Sequence, residues 1–145
     1  MGNKIGINSI YKIGICFSIV MTMSVTMLNA QNLIKGKKIF ETRCLVCHQA
    51  DGGGVPNMNP PLDGSTGVNG KDIVRMVKIV TNGLDERVAL DGMYYNNAMT
   101  ANPDLKADAI ADVLSYIRNS WSNKAGLVTV AQVNAALLKN KSKKK

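Results

Sequence analysis

The sequence predicts a small, mainly α domain, and three observations carry that reading. Three separate stretches place apolar residues at steps of three and four. No stretch alternates strongly enough to demand more than two short strands, and the second helical stretch is preceded by a long run rich in Gly, Pro, Asn and Asp.

The 145 residues suffice for one small domain once an export segment is set aside. Residues 1–30 read as a signal peptide. Lys4 and Lys12 form a positive start, Ile13 to Leu28 an apolar stretch, and Leu28-Asn29-Ala30 a cleavage site, so the mature chain begins near Gln31. The stretch is short for a membrane span, which needs about 20 residues; an uncleaved tether is the alternative. Cys16 follows Ile15 where lipoprotein processing needs a small residue, and is read as discarded with the signal.

Leu33, Gly36, Lys37 and Phe40 fall at helical spacing and predict a first helix from Asn32 to about Arg43. From Gln49 to Gly70, Gly52-Gly53-Gly54, Pro56, Pro60 and Pro61 argue against regular elements. A loop of that length in a compact domain is usually functional and is expected to wrap something. Ile73, Val74, Val77 and Val80 predict a second helix over Lys71 to Asn82, stopped by Gly83. Val88-Ala89-Leu90, Asp91-Gly92 and Met93-Tyr94-Tyr95 read as a minimal hairpin. Ile110, Val113, Leu114, Ile117 and Trp121 predict a third helix over Leu105 to Trp121, with Asp104 as its cap and Asp108 against its dipole. Beyond it, residues 122–145 form an extension: Thr129 caps a short helix through Leu138, and the lysine-rich end is expected to be disordered. The domain itself is placed at residues 31–121.

The formal charge of +8 is unevenly placed. Two cations belong to the signal and five to the last seven residues, which leaves eleven Lys and Arg against ten Asp and Glu from Gln31 to Leu138. The body is nearly neutral and has no aromatics interleaved with basic side chains, so nucleic acid is not an expected partner. The lysine end reads as a solvated tail, with steering toward acidic partners or anionic lipid as the alternative.

Cys44-Leu45-Val46-Cys47-His48 matches C-x-x-C-H, the attachment signature of c-type haem. Two thiols at this spacing add across the two vinyl groups of one porphyrin edge, and the adjacent imidazole reaches the iron. Aromatic residues are scarce, at 5%, which suits a core completed by a non-protein ring, although a plain aliphatic core reads equally well. A structural zinc site needs four ligands, more than the two cysteines and one histidine from Gln31 onward. A thioredoxin-like motif needs strand–helix–strand context, which the helical pattern here does not supply; a thiol–disulfide protein without haem remains as a rival. With one histidine, the sixth ligand falls to a methionine among Met58, Met76, Met93 and Met99. Met99 is favoured because it lies in a flexible stretch before the third helix, with Met93 second. An empty sixth position is the alternative, and would make the iron a binding or catalytic site.

Together these residues resemble the class I cytochrome c family, in particular its small bacterial mono-haem members. The likeness covers most of Leu33 to Trp121: Gly36 and Phe40, Cys44 to His48, Pro60-Pro61-Leu62-Asp63-Gly64, Tyr95-Asn96-Asn97-Ala98-Met99, and Leu114-Ser115-Tyr116-Ile117-Arg118. It departs at Thr100, where Pro usually follows the ligand methionine, and at Lys106, where a Ser or Thr cap is usual. The resemblance implies the cytochrome c fold, three main helices around one covalently bound haem, with a minor hairpin and a short C-terminal helix. The first and last family helices are expected to cross near Gly36 and Tyr116. It also implies Met99 as distal ligand and the Pro60 carbonyl as acceptor for the second ring nitrogen of His48. The function implied is an exported, periplasmic single-electron carrier between respiratory redox partners, with no catalytic residue. The runner-up is a cytochrome subunit of a dehydrogenase, oxidase or reductase, held in a membrane complex.

Overall fold

The computed structural model of the chain describes residues 33–142. The expected signal over 1–30, Asn32 at the start of the first helix, and Lys143 to Lys145 lie outside the described residues. Among the described residues, no helix is long and apolar enough to cross a membrane.

Helix α1 spans residues 33–43. It is followed by the short α2 (Leu45–His48), α3 (Thr66–Asn69), α4 (Ile73–Asn82), strands β1 (Val88–Leu90) and β2 (Met93–Tyr95), α5 (Ala107–Arg118) and α6 (Val130–Ser142). The strands form an antiparallel pair in which Val88 faces Tyr95 and Leu90 faces Met93, as the Asp91-Gly92 turn predicts. Both turn residues adopt positive φ, 51° and 82°, the requirement of a tight hairpin turn.

Gly36 sets the crossing of α1 on α5. A Cβ on Gly36 would collide with the Asp112 carbonyl and lie 2.8 Å from Tyr116 Cβ, so only glycine lets the two backbones approach this closely. One turn later Phe40 enters an aromatic cluster, its ring centroid 5.5 Å from those of both Tyr116 and Trp121. Helix α5 feeds two cores. Ile110, Ala111 and Leu114 pack with Met76, Val77 and the α6 residues Val133 and Ala136, while Val113 and Ile117 pack with Phe40 and Val68.

Several sequence expectations are corrected. Helix α5 is shorter at both ends than Leu105 to Trp121. Asp104 does not cap it, because its carboxylate is engaged by Arg43 at 2.6 Å; the helix opens after an extended Lys106 with no side-chain cap. At its other end the side chains of Asn119 and Ser120 bond back to the carbonyls of Ser115 and Tyr116, which halts the backbone ladder. Trp121 therefore lies beyond the helix, at φ 55°, and donates from its indole nitrogen to Ala50 O at 3.0 Å.

The run from Gln49 to Gly70 is not wholly irregular. Ser65 accepts from Gly67 N at 3.2 Å and caps the single turn of α3. The C-terminal helix is not short: α6 has 13 residues and carries Lys139 and Lys141 in its last turn, so the lysine-rich end is helical as far as Ser142. Thr129 and Gln132 form a reciprocal capping box, Gln132 N to Thr129 Oγ1 at 3.2 Å and Thr129 N to Gln132 Oε1 at 2.8 Å. Lysines in the last turn complement the dipole and favour the extra turn.

Candidate functional site

Helix α1 runs almost without a break into the cysteine motif. Cys44 N bonds to Phe40 O at 2.9 Å and His48 N to Cys44 O at 3.0 Å, so Cys44 and His48 stand one helical turn apart on the same side. Both, with Cys47, line one cavity of about 430 Å³, within the range of about 300–1,000 Å³ usual for cofactor sites. Its remaining wall is largely apolar: Leu62 from the loop, Val68 from α3, Met76 and Val80 from α4, Val113 and Ile117 from α5. The two thiols are not joined to one another.

After His48 the chain must double back. Gln49 adopts φ 61°, Gly54 N bonds to His48 O at 3.1 Å, and Val55 and Asn59 pair as an isolated bridge. Gly54, at φ 65°, packs against the next turn so tightly that a Cβ would lie 2.6 Å from Pro60 O. These constraints bring Pro60 O to 3.0 Å from His48 Nδ1. A carbonyl only accepts, so Nδ1 carries the proton and the lone pair is left on Nε2.

His48 is 8% exposed, and burial lowers its pKa while the Pro60 hydrogen bond opposes the shift. The ring is neutral at pH 7, the form that ligates a metal. Burial pushes the Cys44 thiol up to about 11, with Cys47 adding to the rise and Arg43 opposing it. A thiol this reluctant to ionise is a poor nucleophile for exchange.

The four methionines separate cleanly. Met58 and Met93 are 48% and 41% exposed and stand away from the cavity lining, whereas Met76 and Met99 line it. Met76 Sδ is approached by Arg118 Nη1 at 3.9 Å. Met99 is not in a flexible stretch, contrary to the sequence expectation. Its backbone pairs with Leu84 through bonds of 2.7 and 3.0 Å, and Gly83, at φ 73°, abuts Ala101 N so closely that a Cβ would lie 2.9 Å away.

Two polar residues that the sequence reading did not single out hold the wall in place. Asn123 donates to Leu62 O and Ile117 O, both at 2.9 Å, and accepts from Gly64 N and Asn69 Nδ2. Arg118, appearing only within the family-like Leu114 to Arg118 run, bonds to carbonyls on both sides of the same region. Neither has a spacing signature, because most of its partners are backbone atoms and several lie about fifty to sixty residues away. The residues thus fit a large apolar ring bound through two thiols and one imidazole: Cys44, Cys47, His48 and Met99 all line the same largely apolar cavity.

The family model for cytochrome c matches residues 33–121. The cytochrome c subunit of a quinone-dependent alcohol dehydrogenase from Gluconacetobacter polyoxogenes is 35% identical over 109 residues, 69% of this chain and 22% of the relative. The corresponding subunit from Gluconobacter oxydans is 30% identical over 107 residues, 68% of this chain and 21% of the relative. Cytochrome c-552 of Thermus thermophilus is 34% identical over 91 residues, 61% of this chain and 69% of the relative. The chain therefore spans about a fifth of the dehydrogenase subunits and most of cytochrome c-552.

Proposed function

The chain belongs to the cytochrome c family, electron carriers with covalently bound haem c, and on that premise we propose which of its residues hold the haem and where it works. Cys44 and Cys47 would form the two thioether links, and His48 Nε2 and Met99 Sδ would ligate the iron. Pro60 O fixes the imidazole through Nδ1. When bound, haem c supplies an iron that takes up and releases one electron.

The observation that carries this reading is the shared cavity, bordered by Cys44, Cys47 and His48 together with Met99. The bridge to Leu84 holds the Met99 backbone in place. Such rigidity suits a relay, because little rearrangement then accompanies electron transfer. A methionine ligand beside a histidine would raise the potential relative to two imidazoles. No side chain is assigned to substrate chemistry, and the protein is read as a carrier and not an enzyme.

The setting is export to the periplasm with residues 1–30 removed, residues 31–121 as the cytochrome domain and 122–145 as a C-terminal extension that contributes helix α6. The partners are redox proteins of a respiratory chain, one donating and one accepting. A second reading, a cytochrome subunit of a dehydrogenase complex, is supported by the likeness to the alcohol dehydrogenase subunits. Purification from native membranes and soluble extract separates the two. A free carrier elutes alone with Gln31 at its N-terminus by mass spectrometry, whereas a subunit co-elutes with a larger dehydrogenase. Strong carbon monoxide binding by the reduced native protein would contradict both, since it requires an open sixth position.

A further inference from the structure

Arg118 is a buried cation with no ion-pair partner among the described residues. It is 6% exposed, and its guanidinium donates from Nη1 to Val68 O at 2.5 Å and Gly70 O at 2.8 Å, from Nη2 to Ala125 O at 2.6 Å and from Nε to Gly126 O at 3.3 Å. Every oxygen acceptor is a backbone carbonyl. The ion pairs among the described residues, Lys37 with Glu41 and Arg43 with Asp104, do not involve it. Arginine keeps its proton even where burial disfavours the charge.

The position of this charge matters as much as its burial. Ile117, the residue before it, and Val68, one of its acceptors, both line the cavity. So does Met76, whose sulfur lies 3.9 Å from Nη1. The cation therefore sits directly behind the cavity wall, separated from the interior by one layer of side chains. Solvent and salt screen a charge in that position only weakly.

We propose that Arg118 sets the reduction potential of the haem site upward through the field of its buried guanidinium. The inference rests on the reading that the haem occupies this cavity. Reduction adds one electron to the site, and a fixed positive charge behind the wall stabilises the reduced state relative to the oxidised one. The carbonyl dipoles around Arg118 offset part of that field and leave a net effect, because they solvate the cation without cancelling its charge. At an effective dielectric constant of about 20, a unit charge on the order of 10 Å away moves a one-electron equilibrium by roughly tenfold.

The test is potentiometric titration of purified holoprotein for the wild type, R118Q and R118K, with denaturant unfolding of the same samples. R118Q is expected to shift the equilibrium toward the oxidised form about tenfold, about 59 mV for one electron. R118K keeps the charge but loses the planar fork. It is expected to hold its equilibrium within about threefold of the wild type while its unfolding midpoint falls. An unmoved potential in R118Q, or a fall in R118K as large as in R118Q, would overturn the proposal. If R118Q does not accumulate, R118K decides alone: a held potential with lowered stability supports it, and a tenfold shift overturns it. Haem content is read first from the absorption spectrum. Wild type without haem contradicts the functional reading itself, whereas haem-loaded R118Q at the wild-type potential contradicts only the role of Arg118.

Discussion

His48 Nδ1 lies 3.0 Å from the carbonyl oxygen of Pro60, twelve residues further along the chain. That distance is set by the glycines between them. Gly52 O accepts from Leu62 N and Asp63 N at 2.7 and 3.1 Å, and Gly54 folds onto Pro60 where no side chain fits. The loop thus returns a carbonyl to the imidazole and leaves the Nε2 lone pair unshared.

Gly54→Ala should disturb that contact. The new methyl group must occupy positive φ and meet the Pro60 carbonyl, and forcing an extra carbon into such space costs about 1–3 kcal/mol. A lower unfolding midpoint and a changed reduction potential are expected, measured by denaturant titration and potentiometry. Wild-type values in both would show that the loop does not orient His48.

Gly36→Val tests the helix crossing. Because a Cβ already collides with the Asp112 carbonyl and crowds Tyr116 Cβ, α1 and α5 must separate, at a cost of about 3 kcal/mol or more. The thermal midpoint is expected to fall by more than 10 °C, since about 1 kcal/mol moves a domain of this size by roughly 4–8 °C. Gly36→Ala should show a smaller loss of the same kind.

Asp104→Asn should lower stability in a pH-dependent way. The Arg43 guanidinium, bonded through both nitrogens at 2.6 and 3.3 Å, holds the Asp104 carboxyl below the ordinary aspartate value. A depressed folded pKa means that the contribution is complete above the unfolded value and is lost as pH falls through the folded one. The gap between variant and wild-type unfolding midpoints should therefore be open at pH 7 and close at acid pH. A gap that persists in acid would assign the effect to packing.

Haem removal should unfold the protein. An emptied cavity of about 430 Å³ leaves the largely apolar wall around it without packing partners and open to water, a large loss against the about 5–15 kcal/mol of a whole domain. The C44A/C47A double variant, made without haem, is expected to lose its near-ultraviolet circular dichroism and its cooperative thermal transition. A cooperative transition near that of the holoprotein would mean that the aliphatic core suffices.

The parts of this molecule legible in its sequence are those that obey local rules. The hairpin follows from Asp91-Gly92, the end of α4 from Gly83, and the attachment motif from the spacing of Cys44, Cys47 and His48. The ends of α5 were not legible, because Asp104 could cap the helix or pair with Arg43, and only the tertiary position of Arg43 decides. The helical turn at Ser65 was masked by the glycines and prolines around it. The extra length of α6 was hidden because lysines read equally well as a solvated tail and as the favourable end of a helix dipole. Met99 was legible as a ligand candidate, whereas the firmness of its backbone depends on pairing with Leu84, fifteen residues earlier.

The central claim is the ligation of one covalently held iron by His48 and Met99. Absorption spectra of oxidised and reduced protein, produced in a host with cytochrome c maturation, test it most directly when followed by acid–acetone extraction and repeated for Met99→Ala. The expected result is haem that stays with the polypeptide, a sharp reduced spectrum, and a weak sulfur-to-iron band that disappears in the variant while the haem remains. A colourless protein, extractable haem, or a sulfur-to-iron band that survives Met99→Ala would contradict it.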